Sequence, residues 1–128
     1  MNDLVARVQD GEAIRKQSFA GHALRDADLS GGLFEDVDFR GTNMAGADLG
    51  ECTFIRCLFD EACLAHANLQ LTGAHDSRFR KADLRQSEML GAKLANSDFT
   101  QAVFVGANLT TAAFAQCAIV EADFSATA

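Results

Sequence analysis

The sequence predicts an all-β solenoid whose coils have four sides. Counting in fives from Phe19 to Phe124, every position except Ala74 carries a large apolar side chain, and all ten phenylalanines fall in this register. A second register, two positions earlier, carries mostly small residues such as Ala27 and Ala47. A period of five matches neither an α-helix nor a β-strand. It predicts a chain that turns toward a common axis once in every five residues, so that four units form one coil.

Coils of this kind pair their backbones as parallel strands do, and equivalent positions stack in columns along the axis. One column is almost entirely aromatic, and stacked rings contribute about 0.5–1.5 kcal/mol per pair beyond the burial of their area. We expect the phenylalanines to form the core rather than a platform for nucleic-acid bases. The predicted core residues are Phe19, Phe39, Phe59, Phe79, Phe99 and Ile119 in that column, and Leu29, Leu49, Leu69 and Leu109 in another.

Several units share one short pattern, as in Ala27-Asp28-Leu29, Ala47-Asp48-Leu49, Ala67-Asn68-Leu69, Ala82-Asp83-Leu84, Ala107-Asn108-Leu109 and Ala122-Asp123-Phe124. This pattern resembles the pentapeptide-repeat family, whose consensus is Ala-(Asp/Asn)-Leu-X-X, over about residues 17 to 126. The resemblance implies a right-handed quadrilateral β-helix. We therefore divide the chain into an N-terminal cap at residues 1–16 and a β-helix at residues 17–128.

The cap is predicted to contain a short helix over residues 2–10. Leu4, Val5 and Val8 form an apolar stripe at helical spacing, and Gly11 is a suitable residue to end the helix. We expect the helix to cover the first coil, because an exposed sheet edge invites aggregation.

The repeat is interrupted at Leu71, Gly73, Ala74 and His75. In its column, Ala74 lies between Phe54 of the preceding coil and Leu94 of the following coil. Losing a large side chain there predicts a void, a bulge or a bend, unless Leu71 turns inward to fill the space. A bulge that binds a ligand is the functional alternative.

No set of residues indicates catalysis, a metal or a cofactor. The serines and histidines are spread over separate units, without a nucleophile next to a base. The recurring Asp and Asn residues are expected to bond nearby backbone amides in turns rather than to bind calcium. Cys52, Cys57 and Cys117 fall in the small inward register and are expected to be packing residues, whereas Cys63 should be more exposed. We therefore predict a protein that is not an enzyme.

The formal net charge is −7, and no apolar run has the length of a membrane span. The N-terminus lacks the basic start and apolar core of a secretory signal, so we expect a cytosolic protein that does not bind a membrane. The acidic balance argues against direct binding to nucleic acid. Basic residues cluster at Arg78, Arg80, Lys81 and Arg85, where they indicate a solvated face or, alternatively, a contact for an acidic partner.

Two functions remain open at this point. The first is a non-catalytic scaffold or interaction module for an unidentified protein partner, which would bind at the weakly charged C-terminal coils. The alternative is implied by the resemblance: some pentapeptide-repeat proteins protect DNA gyrase by imitating duplex DNA, and an acidic rod could bind gyrase or another topoisomerase. We also expect a homodimer formed through the C-terminal coil, with Val103, Val105, Ala118 and Val120 as the candidate interface.

Overall fold

A computed structural model describes residues 2–128. One helix is followed by six short parallel strands that form a single sheet in chain order. The elements are α1 (Asn2–Gln9), β1 (Ile14–Arg15), β2 (Leu33–Glu35), β3 (Thr53–Ile55), β4 (Gly73–His75), β5 (Lys93–Ala95) and β6 (Ala113–Ala115).

The strands are one side of a four-sided coil. The other three sides are held by isolated parallel bridges between residues of successive coils, such as Asp38 with Leu58 and Asp48 with Asn68. We call the strand side face A. Face B comprises residues 18–21 and their equivalents up to 118–121, face C comprises 23–26 up to 123–126, and face D comprises 28–31 up to 108–111. The predicted quadrilateral β-helix is confirmed.

Every corner of the coil has a left-handed backbone. From Gly11 to Ala126, each fifth residue has a positive φ, and most of these residues are not glycine. At three corners of each coil the chain closes a turn with a hydrogen bond, as when the amide of His22 donates to the carbonyl of Phe19 at 2.9 Å. Glycine occupies some corners, where a positive φ costs little. The closed coil imposes the same positive φ on the other corner residues, for which it is unfavourable.

The corner that follows each strand is closed differently. There the amide of Cys57 donates to Oγ of Ser77, and the amide of Ser77 donates to Oγ of Ser97, both at 3.1 Å. Each of these two serine hydroxyls also donates to a carbonyl of its own coil. Side chains of the next coil thus satisfy buried amides, which gives a reason for Ser rather than Ala at positions 77 and 97 of the small register. The five-residue spacing contains no sign of this role.

The large register fills the interior as predicted. Centroid distances along the column from Phe19 to Phe99 are 5.8, 5.0, 4.6 and 4.6 Å, and each successive pair of rings is stacked. The prediction is wrong for Ile119, which is 48% exposed because no described coil packs above it. Leu109, in the same last coil, is only partly buried.

Ala74 leaves the backbone regular and the interior slightly open. It pairs in register with Phe54 and Leu94, so there is no bulge. A cavity of about 10 Å³ lies beside it, lined by buried side chains, which is room for about one water molecule. Leu71 does not fill this space: it sits at a corner with a φ of 59° and is 61% exposed. A left-handed corner residue is directed outward, so inward rotation of Leu71 is excluded by the backbone.

Helix α1 packs its apolar stripe on the first coil. Leu4 and Val8 are buried in the common core, and Val5 packs against it. Parallel pairing begins at Ile14 with Phe34, inside the segment that we assigned to the cap.

Candidate interaction surface

The outward Asp and Asn residues mostly serve the turns, as expected. The side chains of nine of them accept a hydrogen bond from the amide two residues later, at 2.9–3.2 Å; they are Asp28, Asp38, Asn43, Asp48, Asn68, Asp83, Asp98, Asn108 and Asp123. A carboxylate used in this way is a structural acceptor.

The basic cluster is largely neutralised within the chain. Arg78 pairs with Asp60 at 2.7 Å and Arg80 with Asp98 at 2.5 Å, both on face B. Arg85 pairs with Asp83 on face C, and this guanidinium holds the pKa of the Asp83 carboxyl below its usual value. Exposed pairs of this kind add little stability, but they cancel the local field. The cluster therefore presents little net positive charge to an acidic partner.

Face D has the opposite electrostatic character. It carries Asp28, Asp48, Glu51 and Glu88 and has no Lys or Arg at any of its positions, whereas each of the other faces carries both signs. Among residues 2–128, none of these four carboxylates lies within ion-pair distance of a Lys or Arg. Face D therefore has a formal charge of −4, whereas faces B and C each have a formal charge of −1.

Face D also carries exposed apolar side chains and a depression. Leu71 is 61% exposed and Leu90 is 38% exposed. A shallow depression of about 280 Å³ adjoins Leu71 and Gly50. Its lining residues are Ser30, Asp48, Gly50, Glu51, Asn68, Gln70 and Leu71. The side chains of Asp48 and Asn68 cover the buried backbone of Gly50, since a Cβ atom there would lie 3.1 Å from both.

The last coil ends in an open backbone edge. In the part of the chain that the structure describes, the amides of Ile119, Glu121 and Phe124 have no backbone acceptor. Ala118 and Val120 are exposed beside this edge, and Val120 is 61% exposed. Val103 and Val105 are half-buried one coil earlier, and Val103 is bridged on both sides, to Asp83 and Asp123. Only two of the four candidate interface residues therefore lie at the open edge.

The cysteines are free thiols packed in or near the core. Burial raises the pKa of Cys52 to about 12 and that of Cys57 to about 11, so both stay protonated and unreactive at neutral pH. Cys63 and Cys117 are half-buried. Among the described residues, no group of three or more His, Cys, Asp or Glu side chains is placed to hold a metal ion. Residues 2–128 contain no helix with the length and hydropathy needed to cross a membrane.

These features define a class of protein: a four-sided β-solenoid with a hydrophobic interior and differently charged faces. A family model described as pentapeptide repeats matches in eight copies, over residues 23–56, 38–72, 51–101, 77–114 and 87–125. The chain therefore belongs to the pentapeptide-repeat family, as its resemblance indicated. No curated protein sequence matches it.

Solved structures with a similar fold come from different sources. A pentapeptide repeat protein from the thylakoid lumen of Arabidopsis thaliana is 23% identical, with a TM-score of 0.44; the match covers 80% of this chain and only 64% of that protein. Rfr23 from the cyanobacterium Cyanothece 51142 is 12% identical, with a TM-score of 0.48 and coverage of 100% and 95%. QnrB1, a plasmid-mediated fluoroquinolone resistance protein, is 17% identical over 90% of this chain and 73% of its own, with a TM-score of 0.38.

Proposed function

We propose that this protein is a non-catalytic interaction module that binds a basic protein partner through face D. The observation that carries the proposal is that face D carries four acidic residues and no basic residue, whereas each of the other faces carries both signs. An unbalanced field of one sign attracts and orients a partner of the opposite sign. The exposed side chains of Leu71 and Leu90 add apolar area that such a partner can cover.

Site-specific photocrosslinking in the native cells tests this proposal. A photoreactive residue at Leu90 lies on face D, and the matched control at Lys93 lies on face A of the same coil. We expect a discrete crosslinked protein from position 90 and not from position 93. The same product should disappear when Asp48 and Glu51 are neutralised. Identical products from both positions, or none from either, would refute face D as the binding surface.

A second candidate function is an acidic mimic of DNA that binds gyrase or another topoisomerase. Face D favours it, because its four carboxylates span about three coil spacings of roughly 4.8 Å each. One strand of duplex DNA carries a phosphate about every 3.4 Å. Face D is therefore somewhat less densely charged than one strand, and the mixed charges of the other faces leave the second strand without a counterpart.

A gyrase supercoiling assay, run with and without a quinolone, separates the two functions. A DNA mimic should inhibit supercoiling or protect the enzyme at micromolar concentrations. Neutralising Asp28, Asp48, Glu51 and Glu88 together should abolish that effect. Supercoiling that is unchanged by the wild-type protein would remove the mimic and leave the interaction module.

We further propose that the module forms a homodimer through its last coil. The unpaired amides of Ile119 and Glu121 are a template for another strand, and the neighbouring Val120 is apolar. Light scattering at micromolar concentration should give twice the chain mass. Val120→Lys should shift the protein to monomer, whereas Leu71→Lys, at an equally exposed apolar residue, should not. A single-chain mass for the wild type would contradict the dimer.

A further inference from the structure

The open backbone edge of the last coil climbs around the rod and contains one step. On faces A, B and C the edge is formed by residues 112–126, whereas on face D it drops by one coil to residues 109–111. The step lies at Ala128, whose amide donates to the carbonyl of Ala107 at 3.0 Å and whose carbonyl accepts from the amide of Leu109 at 2.9 Å. Its height is one coil spacing, about 4.8 Å. A second copy that covers this edge has to accommodate the step.

The step restricts how two copies can meet end to end. Identical chains most often close about a two-fold axis. When the axis passes through both steps, one edge rises by the same amount as the facing edge recedes, so the gap between them stays constant. With the axis anywhere else, part of the edge is separated by one further coil spacing and stays unpaired. In a four-sided coil, an axis that enters through face D at Leu109 leaves through face B at Ile119, half a coil further along the chain.

The open hydrogen-bonding groups of the edge match in this orientation. Residues equally distant from Ile119 along the chain lie opposite each other, and the two edges run antiparallel. Among residues 2–128, the corner amides of the last coil have no backbone acceptor, and the carbonyls one residue further along have no backbone donor. Each such amide faces such a carbonyl of the second copy, in the pairs Thr111 with Thr127, Gln116 with Ala122, Glu121 with Cys117 and Ala126 with Ala112.

The inward side chains at the end of the core also match. Ile119, which is 48% exposed, lies on the axis and meets its own equivalent in the second copy. Phe114 meets Phe124 of the second copy, and Leu109 meets Leu109 on the opposite side of the rod. Each of these three residues is only partly buried in a single chain. Covering them removes the apolar surface that the last coil leaves open, which favours association.

We propose that two copies join in this orientation, so that the core and the paired backbone continue from one chain into the other; the inference rests on the homodimer proposed above and names its geometry. Charge does not oppose it, because residues 109–128 carry only Glu121 and Asp123 as charged side chains. The two Glu121 residues are separated along the paired edges by roughly 13 Å, at about 3.3 Å per residue. That separation exceeds the Debye length of about 10 Å at 0.1 M salt.

The orientation has a consequence for the outer surface of the rod. A two-fold axis through faces D and B maps each of these faces onto itself, so face D of both copies lies on the same side. The dimer then presents one continuous face D with twice the formal charge of −4 that a single chain carries there. Any other axis through a face or a corner would place the two D faces on different sides.

Disulfide crosslinking tests the orientation. Cys63→Ala and Cys117→Ala together provide the background, because they remove the two thiols that are not buried. Ile119→Cys then places a thiol on the axis. Directly opposed residues of antiparallel strands have Cα atoms about 4.5–5.5 Å apart, which is within the range that a disulfide bridges. We expect mild oxidation of this variant to give a covalent product of twice the chain mass.

Two control variants separate this axis from the others. Ala113→Cys and Ser125→Cys lie at exposed positions of the last coil, on faces A and C, and they face each other across the proposed interface. Neither variant should crosslink by itself, whereas a mixture of the two should. Circular dichroism confirms that each variant folds. Self-crosslinking of Ala113→Cys would place the axis through face A and overturn the orientation, as would the absence of a product from Ile119→Cys.

Failure of this inference is distinguishable from failure of the proposed function. If light scattering gives twice the chain mass but Ile119→Cys does not crosslink, the homodimer is retained and this orientation is wrong. If the wild type has the mass of a single chain, the homodimer and its geometry are both wrong. The binding of a partner by face D is tested separately, by the photocrosslinking at position 90.

Discussion

Replacing one ring in the middle of the aromatic column measures how much stacking stabilises the rod. Phe59 stacks on Phe39 at 5.0 Å and on Phe79 at 4.6 Å, and its ring edge meets Phe54 at 5.0 Å. Each aromatic pair contributes about 0.5–1.5 kcal/mol beyond buried area. Because leucine keeps an apolar group in the site, we expect Phe59→Leu to lower the free energy of unfolding by about 2–3 kcal/mol.

The matched control is Phe124→Leu in the last coil. Phe124 stacks on Phe104 at 4.8 Å and meets the edge of Phe114 at 6.1 Å, but it is only partly buried. Its replacement should cost about 1 kcal/mol. Urea unfolding followed by circular dichroism measures both, and the slope against urea should stay unchanged. Equal urea midpoints for the two variants would refute the reasoning. Phe59→Asp should prevent folding, because it buries an unpaired charge.

Three further predictions concern the interior and the acid limb. Ala74→Leu adds three carbons beside a cavity of about 10 Å³, so thermal melting should show a loss of about 1–3 kcal/mol; a gain would show that the neighbouring rings move aside. Ser87→Ala removes a buried hydroxyl that has no hydrogen-bond partner among the described residues, so it should be neutral or should stabilise the protein by about 1 kcal/mol. Thr72→Val removes a hydroxyl that donates to a carbonyl, so it should destabilise the protein. The Arg40 guanidinium bonded to Asp38 holds the pKa of that carboxyl in the folded protein below its value in the unfolded chain. The contribution of this carboxylate to the free energy of unfolding is therefore complete above about pH 4, and it is lost as the pH falls through the lower folded pKa. The urea midpoint of the wild type should fall as the pH decreases through this range, and the midpoint of Arg40→Gln should fall less. Identical dependences of the midpoint on pH would contradict the pairing.

The spacing of apolar residues carried most of the fold prediction. Every fifth residue except Ala74 is large and apolar, and few folds can bury all of these side chains together. A coil with one large residue on each of its four sides does so. The burial of Ile119 was predicted wrongly, because burial in a solenoid depends on a neighbouring coil as well as on the residue. The open edge where Ile119 lies is a property of stacking, which the local pattern does not contain.

The candidate site was far less accessible to sequence reasoning. The sequence shows an acidic chain with a basic cluster, and this suggested a basic patch in the second half. Folding places Arg78 beside Asp60 and Arg80 beside Asp98, so that the patch is largely neutralised. Asp48 and Glu51 stay unpaired, because no basic residue occupies face D. These paired residues lie on successive coils, about one full coil apart along the chain. A count of charges along the sequence therefore does not show which charges become neighbours.

The sequence by itself determined the period, the register of inward side chains and the turn residues of this protein, because each follows from a rule that acts within one five-residue unit. The tertiary structure decided which charges cancel, where the interior is left open and which face carries the depression at Gly50. These properties arise from contacts between coils. The side chains that meet there come from different units, and their pairing is fixed only when one coil stacks on the next.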